Sequence, residues 1–242
     1  MKRNARAHAP APAFPGAASL SLPVPARADP APPQPRRVFV IGDSISMHYS
    51  PWLEKFLAPS FEYDRKRGDA GGNLDVPQGA NGGDSRSVLS YLRFRHGHAP
   101  IKPGFLLLNC GLHDIKRHPV TMTIGVGLSD YAANLREMLK TAAAMRQRVV
   151  WVRTTPVLDE NHNSRKVGFL RFAADVAACN RCADGIMRAA GVPVVDLHTF
   201  SDSFGPEAFA DHVHYINSVR EKQAAFIAGA IKAIAECRCP DA

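Results

Sequence analysis

From residue 37 onward, short runs of apolar residues alternate with longer segments whose apolar residues recur every three or four positions. No other feature constrains the fold as much. A strand that is apolar throughout must be covered on both faces, and strands alternating with amphipathic helices imply an α/β domain built on a parallel sheet. Residues 38–41 form the first run, apolar and largely β-branched, and 105–109 and 149–153 read the same way. Residues 192–197 are a fourth strand, introduced by the turn residue Gly191, and 61–66 a weaker one near an edge. Between them, 129–145 places Tyr131, Leu135, Met138, Leu139 and Met145 largely on one face. Residues 165–190 repeat the pattern with Phe169, Phe172, Val176 and Cys179, and 218–236 carries Ile227, Ile231 and Ile234 at core spacing, with Asn217 as its expected N-cap.

Residues 1–37 are a different material. They hold nine of the chain's 19 prolines, ten alanines and no hydrophobic period, so they lack the means to fold alone. They also hold six basic residues against one acidic, so most of the net charge of +8 sits there. Residues 38–242, expected to form the folded domain, carry 24 basic and 21 acidic residues, a near balance that argues against nucleic acid as a partner. The default reading of the segment is a flexible basic tail on a cytoplasmic protein. Residues 1–28 also read as a weak signal peptide, with Ala26-Arg27-Ala28 as a cleavage site, which would make the protein secreted or periplasmic. No apolar run reaches the roughly 18 residues a transmembrane helix needs. Five cysteines leave at least one thiol unpaired within the chain. The pairs Cys179/Cys182 and Cys237/Cys239 raise a zinc site, but both lie in or beside helical patterns without turn residues, so small semi-buried thiols are the expected reading. Export would permit a disulfide between the pairs.

Chemistry concentrates where strands end. The first strand runs into Gly42-Asp43-Ser44, placing Ser44 at the opening of a helix, beside free backbone N–H groups and the positive end of the helix dipole. The nucleophile elbow Gly-x-Ser-x-Gly is absent, since Ser46 stands where the second glycine should be. Before the last helix comes Asp211-His212-Val213-His214. A serine nucleophile needs an imidazole to take its proton and a carboxylate to hold that imidazole, and one turn brings Asp211 against His214. His212 is the rival base. Two further blocks could present hydrogen-bond donors to Ser44: Gly111-Leu112-His113-Asp114 after the strand at 105–109, and Gly82-Gly83-Asp84-Ser85, where the glycine-rich segment 68–83 enters a helix. That segment matches neither a P-loop nor a dinucleotide fingerprint.

In order and spacing the four blocks resemble the SGNH/GDSL hydrolase superfamily, over the whole chain from about residue 38. The resemblance implies a three-layer α/β/α sandwich with a mainly parallel, flavodoxin-like sheet. It implies Ser44 as nucleophile, His214 as base, Asp211 as its orienting carboxylate, and an oxyanion hole from the N–H groups of Ser44 and Gly83. It implies no cofactor or metal, and as substrate a small ester, with acetylated carbohydrates first. The third block departs, because His113 stands where the family carries an asparagine whose amide donates to the oxyanion. A neutral histidine keeps one N–H donor, and Asn81 and Asn109 are other candidates. Two alternatives follow: an O-acyltransferase with the same triad, and a catalytically impaired carbohydrate-binding homologue.

Overall fold

A computed structural model of the chain describes residues 36–68 and 76–237. Residues 1–35 of the expected tail or signal segment, Cys239 and residues 69–75 of the glycine-rich segment lie outside the described residues, whereas Arg36 and Arg37, assigned to the tail from the sequence, already belong to the first strand.

The five strands are β1 (Arg36–Ile41), β2 (Phe61–Arg65), β3 (Phe105–Leu108), β4 (Arg148–Val152) and β5 (Val194–Val195). All pair in parallel, in the order β2-β1-β3-β4-β5. This is the flavodoxin-like order, in which the chain moves outward from β1 in one direction and then crosses back to build the other half. The register sets Val38 opposite Tyr63 on one side and Phe105 on the other. The apolar runs are buried as a two-sided sheet requires: Val38–Ile41, Phe105–Leu108 and Val149–Val152 each expose less than a tenth of their surface.

Helix α1 (Ser44–Leu57) packs on α7 (Asn217–Glu236), while α3 (Leu128–Ala144) packs between α2 (Ser85–His98) and α5 (Ala173–Ala189). Right-handed crossovers to opposite sides of β1 put these two groups on opposite faces, giving the three-layer α/β/α sandwich. Two short helices, α4 (Asp159–Asn163) and α6 (Leu197–Asp202), sit in the connections flanking β5. Among the described residues no helix is long and apolar enough to cross a membrane.

Three further expectations need correction. The strand expected over residues 192–197, β5, is two residues long rather than six, because Asp196 turns away to cap α6, accepting the Thr199 N–H at 3.1 Å and Arg153 Nη1 at 2.8 Å. The helix expected over 165–190 begins only at Ala173. Residues before it are held extended: Leu170 exchanges backbone hydrogen bonds with Arg117 at 2.8 and 2.9 Å, Asn163 clamps the Arg171 backbone, and Gly168 adopts φ +86°. Asn217 is the first residue of α7, and Ile216 occupies the N-cap position.

Two buried cations shape the loop that carries Gly83. At the end of β2, Arg65 donates to the Ser46 and Ala80 carbonyls and to Ser50 Oγ. The Lys66 ammonium donates to three backbone carbonyls, those of Pro77 at 2.6 Å, Gly79, and Asn81 at 2.8 Å. The same loop is stitched to the first block by the Gly82 N–H, which donates to the Gly42 carbonyl at 2.8 Å. A Cβ on Gly82 would lie 3.2 Å from that oxygen and 3.1 Å from Val88 Cγ2, so a side chain there would push the two loops apart by a few tenths of an ångström.

Candidate active site

The carboxyl ends of β1 and β3, on either side of the point where the strand order reverses, carry the site. Asp43 leaves β1 in an extended conformation and caps α1, its Oδ1 accepting the Ile45 N–H at 3.0 Å. Ser44 is therefore the first residue of the helix, where its own N–H has no acceptor within the helix. Burial raises the Asp43 carboxyl above its ordinary range, and Ser44 itself is 4% exposed.

Asp211 and His214 face each other because their loop is closed locally. The Ala210 N–H donates to the His214 carbonyl at 2.7 Å, and Asp211 Oδ1 accepts the Val213 and His214 N–H groups, each at 2.8 Å. The second oxygen, Oδ2, lies 2.7 Å from His214 Nδ1. Partial burial pushes the Asp211 carboxyl up, but the two backbone donors and the imidazole outweigh it and bring it down to about 2. His214 Nε2 lies 2.8 Å from Ser44 Oγ, across 170 residues of chain. The expected nucleophile, base and orienting carboxylate thus form one continuous hydrogen-bonded line.

His212 points elsewhere. Its Nδ1 lies 2.8 Å from Nδ1 of His162, a fully buried residue of α4, and Asn161 Nδ2 donates to the Asp211 carbonyl at 3.3 Å. Helix α4 therefore fixes the loop from behind, and sequence spacing gave no sign of it. His48 was equally unforeseen. It lies one turn after Ser44 on α1, and its ring meets that of His214 edge-on, with centroids 4.5 Å apart. Burial, His214 and Arg220 lower His48 to about 4, so at neutral pH it offers the His214 ring an uncharged wall. The i, i+4 spacing of Ser44 and His48 is the signal that could have found it.

The third and second blocks meet through Asp114. This fully buried carboxylate accepts the Ser85 N–H with both oxygens, at 2.9 and 3.1 Å, tying the start of α2 to the end of β3. Burial raises Asp114 to about 7. A carboxyl whose folded pKa is raised adds stability at pH below its unfolded value, near 3.8, and loses it as pH climbs through 7. Asp114→Asn, which mimics the protonated form, is expected to gain on wild type in urea midpoint, and by more at pH 8 than at pH 5. An equal difference at both pH values would contradict the raised pKa.

The donors expected around the oxyanion are only partly available. Asn109 Nδ2 donates to the Val152 carbonyl at 2.9 Å, so its amide is spent joining β3 to β4. The Gly83 N–H donates to Asn81 Oδ1 at 2.7 Å, so the second expected backbone donor is engaged by a side chain. Gly83 adopts φ +74°, and a Cβ there would lie 2.9 Å from Pro77 Cβ, so its place in the turn requires glycine. His113 lies beside Asn81, with Nε2 3.4 Å from Asn81 Nδ2. Burial lowers His113 to about 3, helped by Lys116 and Arg171, so its ring is neutral. Of the thiols, Cys110 and Cys179 are buried, Cys182 is partly buried and Cys237 is exposed. Burial raises Cys179 to about 12.

No protein-family model matches the chain, and no curated protein does. Solved structures do. A lipase/acylhydrolase from Enterococcus faecalis superposes with a TM-score of 0.60 at 16% identity, over 82% of this chain and 96% of its own. A GDSL-like lipase from Bacteroides thetaiotaomicron gives 0.59 at 18% identity, over 82% and 89%. An acetyl xylan esterase gives 0.59 at 15% identity, over 80% and 98%. The chain therefore has the fold of the SGNH/GDSL lipases and acylhydrolases, as its four blocks implied.

Proposed function

We propose that the chain is a serine ester hydrolase acting on short-chain, chiefly acetyl, esters, with carbohydrate esters as the first substrate class. The observation that carries this reading is the line Asp211–His214–Ser44, with separations of 2.7 and 2.8 Å. His214 Nε2 takes the proton of Ser44 Oγ as that oxygen attacks the ester carbonyl. Asp211 keeps the Nδ1–H tautomer, which leaves Nε2 free to act as base, and stabilises the imidazolium that forms. The tetrahedral oxyanion develops beside the Ser44 N–H, at the positive end of α1, and beside His113. Collapse expels the alcohol, which takes the proton from His214. Water then attacks the acyl-enzyme with the same imidazole as base, releasing the acid and restoring the serine. The acetyl preference rests on family resemblance, and the esterase named among the fold neighbours acts on acetyl xylan.

A fluorophosphonate probe tests the nucleophile. Labelling of the wild type that disappears in Ser44→Ala supports the reading; an unlabelled wild type, or labelling that survives the substitution, overturns it. Substrate class is read from p-nitrophenyl esters of increasing chain length alongside acetylated oligosaccharides. Turnover that rises with acyl length refutes the acetyl preference. Adding a sugar acceptor separates a hydrolase from an acyltransferase, since only the transferase diverts its acyl group from water to the sugar.

A further inference from the structure

The departure at His113 is matched by a second one nearby. Asn81 is 1% exposed, and its two side-chain atoms have fixed roles. A backbone N–H can only donate, so the atom 2.7 Å from the Gly83 nitrogen is Oδ1, and the other is the NH2 group. An amide NH2 likewise only donates. The His113 nitrogen facing it at 3.4 Å, Nε2, must therefore present its lone pair. A neutral imidazole carries one proton, which is then on Nδ1. That atom makes no hydrogen bond to any described residue and is not enclosed. Nδ1 stands two bonds from Cβ, as the amide nitrogen of an asparagine does. The Nδ1–H can thus occupy the place where an asparagine would present its N–H.

We propose that Asn81 is a positioning residue that locks His113 in its Nδ1–H tautomer, making that N–H the side-chain donor to the oxyanion. This rests on the ester-hydrolase reading. It also accounts for Gly83: its N–H holds Asn81 Oδ1 in place and so fixes which way the amide points. The oxyanion hole is then the Ser44 N–H and His113 Nδ1–H, with Asn81 and Gly83 behind them.

The first test is the tautomer itself. Long-range 15N–1H correlation spectra of the wild type at neutral pH should show His113 protonated at Nδ1; protonation at Nε2 overturns the proposal, whatever any variant does. The second test is Asn81→Asp. A carboxylate can still accept from Gly83, but towards His113 it can only accept, which draws the proton to Nε2 and leaves a lone pair facing the oxyanion. His113 should change tautomer, and kcat should fall roughly 100-fold with KM nearly unchanged. In a His113→Asn background the donor no longer depends on a tautomer, so adding Asn81→Asp should cost no more than about threefold against the scale of a lost donor. An equal loss in both backgrounds would mean that Asn81 acts through its charge or through folding, and the proposal fails. Fluorophosphonate labelling of Ser44 keeps the outcomes apart. If labelling persists while these tests fail, only the role of Asn81 is lost; if labelling is absent, the hydrolase reading itself is lost.

Discussion

Ser44→Ala, His214→Ala and the double variant are expected to lose kcat by nearly the same factor, on the order of a million-fold. Ser44 Oγ and His214 Nε2 lie 2.8 Å apart and share one proton transfer, so once either is gone the other has nothing left to do. What survives should be the contribution of binding and of the oxyanion donors, roughly 1,000-fold above the reaction in water. The measurement is kcat on a p-nitrophenyl ester for the two single variants and the double. Multiplying losses, with the double variant far below either single, would show two groups working independently and would break the relay.

The second large effect is expected at Asp211. In Asp211→Asn the oxygen that accepts the Val213 and His214 N–H groups must remain an oxygen, because both partners only donate. The new NH2 group is then turned towards His214 Nδ1, in place of the oxygen now 2.7 Å away. It can only donate there, so Nδ1 becomes the acceptor and the ring proton moves to Nε2, facing Ser44. The imidazole keeps its position and loses its basic nitrogen. A fall in kcat of roughly 10,000-fold with an unaltered thermal midpoint is the expected outcome. A loss under tenfold would mean that the tautomer of His214 does not control the rate.

Much of this site was legible because its parts are local. Gly42-Asp43-Ser44 could be placed at a strand end from the apolar run before it, and Asp211 with His214 from a three-residue separation that one turn closes. The strands at 38–41, 105–109 and 149–153 were equally plain, since a central parallel strand has no polar face to blur it. Less legible were features set by partners distant in sequence. Residues 165–172 have helical spacing, but Arg117 and Asn163 hold their backbone extended, and periodicity carries no record of either partner. His162 comes to His212 from a different connection of the sheet, fifty positions away. Gly83 was placed correctly at the mouth of α2, yet its N–H is turned to Asn81, and only coordinates show which way a backbone group faces.

The Lys66 ammonium grips its loop entirely through peptide oxygens. Every residue type offers the same carbonyl, so the path of the chain past Gln78 and Ala80 is indifferent to which side chains those positions carry. Evolution, or a mutational library, can rewrite the lettering there while the shape delivered to Asn81 and Gly83 stays the same. Surface chemistry beside the candidate site is thereby uncoupled from the geometry of that site.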